Sequence, residues 1–524
     1  MKVPNPPEDD VLPAFATFVL VVIVGLFVIR NLPWHLDDLD QAKQAYVPYQ
    51  MVNDGSWVVQ NTPTGDLATK PPLQGWISAF LFLGSGAKFW DFAWRLPAIV
   101  ASLLILRQLW RTGEILFGNN IGALLAAGAF GLNSYVPRLA TLVRTDMMLA
   151  AFIFFVGWII LEKIRTEEEW TWKDRIRICL LLIGSMLTKG PIALAFLVPG
   201  LIAYQYLSRK WDLPGGAFCG FIWWTIPLVV FGVWVALGMS HPGFREQVID
   251  KEFLGRFTVG KDAVHHNGWP GTYTLGLLAR TLPWSVILIG FFTLKAVRDA
   301  VKESPVLLWL VCWTLGGLVF MELVPSKRFD RILPVLPPMC LLLAASARYL
   351  PGFEVWKQPI GRLAILLPMV GVLFAGGYTG WRVAQSYTNQ AGALVKFGEQ
   401  VKAEVLGQGD RLAVVNGKDE GMLIYTGSLR FTRLEDALAM WKTKRINWAV
   451  LSEAEFNEHR DQLRPCDLLA QTPPLAEKAN SYRLLRRVEP PQQPPPAPTA
   501  KGDTPTAPEA PSGVPAWQPP TKLE

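Results

Sequence analysis

Charge is scarce in this chain: Asp, Glu, Lys and Arg make up 18% of 524 residues, and there are only 5 His and 5 Cys. With 51% hydrophobic residues and a mean hydropathy of +0.25, this composition excludes a soluble enzyme and a disordered polymer, and indicates a polytopic membrane protein. Cys179, Cys219, Cys312 and Cys340 lie in or beside apolar segments, and only Cys466 lies in a polar one. No C-x-x-C pair occurs, so neither a disulfide framework nor a zinc site is signalled. No cleavage site follows the first apolar run, which therefore reads as a retained span. No repeat of fixed period is present.

What is present is tryptophan, 22 of them, in keeping with a large membrane–water interface where indole rings settle. The net charge of +7 comes from Lys and Arg clustered in loops between apolar runs. Orientation signalling and anionic headgroups account for such clusters, so nucleic acid is not an expected partner.

A span needs roughly 20 apolar residues to cross ~30 Å of hydrocarbon. Runs of that kind cover 11–30, 94–111, 119–137, 147–162, 176–188, 190–207, 216–237, 272–294, 305–324, 332–349 and 360–381. The stretch 73–90 is short and broken by "GSG". If it lies in the interface and does not cross, the basic loops "LRQLWR", "EKIRTEEEWTWKDRIR", "SRK", "KAVRDAVK" and "ARYLPGFEVWK" share one side, the cytoplasm. Residues 31–72, 138–146, 188–190, 238–271 and 325–331 then emerge together on the other face.

Three parts are expected: a membrane domain over 1–381, in which 31–93 form a first loop with interfacial helices; a small α/β domain over 382–488; and a Pro-rich tail over 489–524. In the second part "RLAVV", "MLIY", "NWAVL" and "SYRLLRRV" read as strands, and "RLEDALAMWK" and "EAEFNEHRDQL" as helices. The tail, rich in Pro and poor in aromatics, reads as disordered.

The polar motifs concentrate on the non-cytoplasmic face. In "HLDDLDQAKQAY", residues 35–46, Asp37 and Asp38 read as solvated neighbours of Asp40, which opens a helical stretch to about Met51. "NDGSW" follows as a turn, and "TKPPLQGW" returns the chain to the membrane. Pro71 and Pro72 hold Lys70 on an extended segment at the bilayer edge, either to meet a lipid phosphate or as an ordinary snorkelling lysine.

The series of a first span, an acidic loop, "DGSWVV" and "KPPL", then "VRTDMMLAAF", "LTKGPIALAFLVPGL", "EFLGRFTVGKDAVHHNGWPGTYTL" and "PSKRFDRILPVLPPMCLLLA", resembles the GT-C glycosyltransferases of the protein mannosyltransferase and lipid A aminoarabinose transferase type. The collinear matches cover about residues 11 to 350. The resemblance implies a polytopic α-helical GT-C fold with about 11 to 13 membrane helices at ~20 residues each. It implies transfer of a sugar from a polyprenyl-phosphate carrier to a lipid, glycan or protein acceptor, at the periplasmic face of a bacterial inner membrane. Asp40 would then be the proton acceptor, and Asp146 would position the acceptor or orient a cation. Lys70, Lys189, Arg256, Lys327, Arg328 and Arg331 would bind the donor phosphate.

One departure concerns a divalent cation. Thr69 stands where the aminoarabinose branch usually has an acidic residue, leaving His265 and His266 as the nearby residues able to meet a metal or, alternatively, headgroups. No D-x-D motif of the nucleotide-sugar type stands out; "DDLD" could imitate one, but a nucleotide sugar is not expected outside the cytoplasm. The rival reading is a polyprenyl-lipid or solute transporter, for which ionisable residues at mid-span would be expected.

Overall fold

The computed structural model describes residues 11–36, 39–63, 66–85, 91–210, 217–257, 269–355, 357–388, 392–407, 409–415, 420–473 and 481–488. The Pro-rich tail, Asp37, Asp38, His265 and His266 lie outside the described residues.

The chain opens with α1 (Pro13–Ile29), whose proline occupies the first turn, where no N–H is needed. Two helices follow that do not belong to the apolar runs, α2 (Leu39–Asp54) and α3 (Leu73–Gly84). At ~1.5 Å per residue, the 12 residues of α3 reach ~18 Å, too short for a bilayer core. The bundle continues through α4 (Asp91–Phe117), α5 (Asn120–Gly131), the single turn α6 (Val136–Leu139), α7 (Asp146–Thr166), α8 (Trp172–Lys189), α9 (Ile192–Ser208) and α10 (Ala217–Gly238). Next come α11 (Thr272–Arg280), α12 (Trp284–Thr293), α13 (Lys295–Glu303), α14 (Pro305–Leu323), α15 (Leu336–Ala347) and α16 (Ile360–Thr388). Among the described residues six helices are long and apolar enough to cross a membrane, or seven if one bent pair counts as one span.

Two expected spans are altered, each for a local reason. Residues 119–137 form the 12-residue α5, which ends where Asn133 folds back on it: the side-chain amide donates to the carbonyls of Ala129 and Phe130 (both 2.8 Å). The Asn133 Oδ1 accepts from Tyr135 N (2.8 Å) and Val136 N (2.9 Å), starting α6. Residues 272–294 are not one rod but α11 and α12, bent by 109°, with Pro283 at the break, where it can offer no N–H to continue the ladder.

Close helix contacts are made through small residues. A Cβ on Gly113 of α4 would sit 2.5 Å from the Gly122 carbonyl of α5, so only glycine lets these backbones touch. The bundle core is one continuous apolar cluster running from Val19 and Phe27 through Phe130, Phe154 and Trp313 to Leu341.

After α16 come α17 (Ala393–Glu404), α18 (Glu420–Thr426) and α19 (Leu434–Lys442) around a four-stranded sheet of β3 (Leu412–Val414), β4 (Trp448–Ser452), β5 (Cys466–Gln471) and β6 (Tyr482–Arg487). The order is β3-β4-β6-β5, with only β3 and β4 parallel; β1 (Glu354–Val355) and β2 (Gln358–Pro359) form a separate hairpin. "MLIY" is helix, not strand: Met422, Leu423, Ile424 and Tyr425 are all buried, so the run is apolar on every side and carries no period to tell the two apart. This unit does not stand alone. Leu394, Phe397, Met422, Leu423 and Leu484 share a core with Ala42, Ala45, Tyr46 and Tyr49 of α2. The Tyr425 hydroxyl accepts from Leu36 N (2.8 Å) and meets Asp91 Oδ1 (3.2 Å).

Candidate active site

Segments far apart in sequence converge on one cavity of about 260 Å³. Its walls come from α2 (Asp40, Lys43, Gln44), the chain returning to α3 (Thr69, Lys70), the start of α7 (Arg144, Asp146), the end of α8 (Lys189), the π-helix Arg245–Phe253 after α10 (Glu252) and the approach to α15 (Arg328, Arg331). The loops at 31–72 and 138–146 both reach it, and of the described helices between them α4 alone is long and apolar enough to cross a membrane.

A buried arginine sets the register of the first two walls. Arg95 of α4 is 1% exposed and donates to the Gln41 Oε1 (2.5 Å), to the Thr141 carbonyl (2.7 Å) and to the Trp34 carbonyl (2.7 Å). Gln41 Oε1 also accepts from Val143 N (3.3 Å), so the residues preceding Arg144 are tied to the helix that carries Asp40.

Asp40 is held by two guanidinium groups on the same oxygen. Arg144 Nη2 reaches its Oδ2 at 2.5 Å and Arg328 Nη2 pairs with that oxygen as well. Arg144 is also paired with Asp330, so it bridges two carboxylates while itself nearly buried. Burial pushes the Asp40 carboxyl up, but Arg144 and Arg328 outweigh it and hold the group below the usual carboxylate range.

Asp146 opens α7 and pairs with Lys189, the last residue of α8. Each charge sits at the helix end whose dipole favours it. Lys189 can end its helix here because Gly190 takes φ 74°, and a Cβ at that position would meet the Phe253 ring at 2.6 Å.

Among the described residues Lys70 makes no salt bridge. Burial, with Lys189 close by, pushes its amine down to about 7. Arg331 donates to the Ser326 carbonyl (3.0 Å) and hydroxyl (3.2 Å), which fixes it at the cavity wall.

Six cations (Lys43, Lys70, Arg144, Lys189, Arg328 and Arg331) therefore line the cavity against three carboxylates (Asp40, Asp146 and Glu252). Such a surplus suits a phosphate at an apolar boundary.

Of the residues singled out in the sequence, Asp40, Lys70, Asp146, Lys189, Arg328 and Arg331 come together here. Lys327 does not. Its ammonium turns to Glu322 (3.1 Å) and the Met321 carbonyl (3.2 Å), closing the end of α14. The Arg256 side chain and the two histidines are outside the described residues. Among the described residues no three His, Cys, Asp or Glu side chains are grouped as metal ligands would be. Arg144, Asp330 and Glu252 escaped the sequence reading, although "RTD" sets Arg144 two residues before Asp146.

No family model matches the chain. Over 327 residues it is 30% identical to a protein of Aeromonas salmonicida named undecaprenyl phosphate-alpha-4-amino-4-deoxy-L-arabinose arabinosyl transferase, covering 59% of this chain and 55% of the other. A protein of the same name from Shewanella sediminis is 27% identical over 344 residues, covering 62% and 59%. The chain thus spans a little over half the length of the curated relatives it matches. The crystal structure of ArnT from Cupriavidus metallidurans bound to undecaprenyl phosphate superposes with a TM-score of 0.70 at 16% identity, over 90% of this chain and 97% of that one. The apo form of that ArnT gives 0.70 at 17% identity. The transporter alternative finds no support in either comparison. The resemblance to polyprenyl-phosphate-dependent GT-C glycosyltransferases read from the sequence is borne out, and the chain is an integral membrane protein with the fold of ArnT.

Proposed function

We propose that the protein transfers a sugar from a polyprenyl-phosphate donor to a lipid, glycan or protein acceptor at the periplasmic face of a bacterial inner membrane. The observation that carries this reading is the cationic surplus of a cavity set at one end of an apolar bundle. The names of the relatives favour undecaprenyl phosphate as carrier and aminoarabinose as sugar.

In the reaction the bond between the sugar's anomeric carbon and the phosphate oxygen breaks, and its electron pair leaves with the phosphate. Lys70, Arg328 and Arg331, which line the cavity, take up that charge. An acceptor oxygen forms the new bond to the same carbon. Where the acceptor is a hydroxyl its proton goes to Asp40, which is ionised at neutral pH. Where it is already an ionised phosphate, no base is needed and Asp40 serves to orient the arginines.

The test is transfer from undecaprenyl-phosphate aminoarabinose to lipid A by the full chain purified in detergent, followed by mass spectrometry. Transfer is expected, and Asp40→Asn is expected to lower it about 10²–10⁴-fold with a hydroxyl acceptor. Absence of transfer from this donor and from undecaprenyl-phosphate hexoses and uronic acids would overturn the reading.

A further inference from the structure

One oxygen of Asp40 is shared by two guanidinium groups, and these two are not equivalent. Arg144 is 9% exposed in its side chain and is anchored at its other nitrogen by Asp330, whose side chain is 11% exposed. Arg328 has a side chain 36% exposed, and its next carboxylate, Asp330, lies at 4.0 Å from Nε. The Arg328 backbone, by contrast, is fixed: the buried Tyr273 hydroxyl donates to its carbonyl (3.1 Å) and accepts from its N–H (2.9 Å). A pinned backbone carrying a half-exposed guanidinium can move that group without moving the chain. The cavity also holds Lys70, which makes no salt bridge among the described residues, so an entering phosphate meets an amine able to pair with it.

We propose that Arg328 is a displaceable arm: with no donor bound it rests on Asp40, and a lipid phosphate entering the cavity draws it away, leaving Asp40 to Arg144. This rests on the reading of the cavity as a polyprenyl-phosphate site. The exchange leaves each group in contact with an opposite charge: the phosphate replaces Asp40 as the partner of Arg328, and Arg144 is then shared by Asp40 and Asp330. It also gives Asp40 a second state. A carboxylate oxygen shared by two guanidinium groups is a poor proton acceptor, and losing one of them makes it a better one. The base is therefore armed by the donor and stays weak in its absence. Binding and proton transfer are coupled through one side chain, and the coupling is reciprocal: whatever loosens Arg328 from Asp40 must tighten phosphate binding.

The experiment is a double-mutant cycle on undecaprenyl phosphate binding, measured with the full chain in detergent. Binding alone is read, so the result does not depend on knowing the sugar or the acceptor. Asp40→Asn frees Arg328 from a charge-assisted contact and should tighten binding about tenfold, in line with the strength of hydrogen bonds to charged groups. In an Arg328→Gln background, where there is no arm to release, the same Asp40→Asn change should gain about threefold or less, the part owed to general charge. Arg328→Lys serves as a second background should Arg328→Gln fold poorly; a lysine lacks the forked pair of donors and should recover only part of the coupling. An equal gain in both backgrounds would reduce the effect to bulk electrostatics and overturn the arm. Weaker binding in Asp40→Asn would overturn it too, since Asp40 would then be helping to hold the phosphate. Failure of the unaltered chain to bind undecaprenyl phosphate would instead overturn the reading of the cavity, and the arm with it.

Discussion

α7 and α8 are joined by an ion pair at each end, and the two ends do different things. At one end Asp146 of α7 meets Lys189 of α8; at the other Lys163 of α7 meets Asp174 of α8 at 2.9 Å. Helix dipoles favour all four charges where they stand. The difference lies in what surrounds them. Asp174 is already engaged in a capping box, its Oδ2 accepting from the Thr171 hydroxyl (2.7 Å) and N–H (3.1 Å), all within one connecting loop. Asp146 lies beside Lys70 and a cavity assembled from segments up to some hundreds of residues apart. An ion pair in the local chain ends a helix. The same pair next to surplus charge borders a site.

The comparison can be broken most strongly at Lys189. Lys189→Ala leaves the Asp146 carboxylate buried without its ammonium, and removing one partner of such a pair typically costs about 3–5 kcal/mol. Thermal unfolding in detergent should show that loss, and an unchanged midpoint would mean water already compensates Asp146.

A smaller effect is expected at Lys70, which has no salt bridge to break among the described residues. Lys70→Ala should weaken undecaprenyl phosphate binding about tenfold with little change in unfolding. Because the amine lies at about 7, it is cationic at pH 6 and mostly neutral at pH 9 in the empty cavity. Affinity should therefore fall as pH rises through that window, against the trend set by the phosphate's own ionisation. Lys70→Arg should lose the fall, since a guanidinium stays charged. An identical profile in both proteins would assign the pH dependence to the phosphate alone.

The smallest effect belongs to the far end. Lys163→Ala removes a pair whose carboxylate keeps its cap, and should cost about 1 kcal/mol or less, with transfer unchanged. A large loss of transfer there would erase the distinction between the two ends.

Much of the fold was legible because apolar runs announce helices without any knowledge of their neighbours. Within the stretch 73–90, read as interfacial from loop charge, the described part is a helix of only 12 residues, Leu73–Gly84. The breaks were harder. Asn133 and Pro283 stood in plain view, yet each lay inside a run whose average hydropathy concealed it. In the site, Lys327 and Arg328 show what sequence proximity hides. Arg328 is extended, with φ −141° and ψ 119°, and consecutive side chains on extended backbone point to opposite sides. One therefore enters the cavity and the other closes α14. Arg144 and Asp330 were missed because their importance is mutual: 186 residues separate them, and nothing in either neighbourhood names the partner.

The core shared by α2 and the carboxy-proximal sheet has a bearing on how the protein is made. Translation delivers α2 early and delivers residues 394–484 only after every membrane helix has been threaded. Until then Ala42, Ala45, Tyr46 and Tyr49 lack the cover that Leu394, Phe397, Met422 and Leu423 give them, and Leu36 N waits for the Tyr425 hydroxyl. The helix bearing Asp40 thus acquires its final seat from the part of the protein synthesised long after it. A chain stalled at the ribosome before α18 would already have the arginines that hold Asp40, but the helix that bears it would be packed on the bundle side alone.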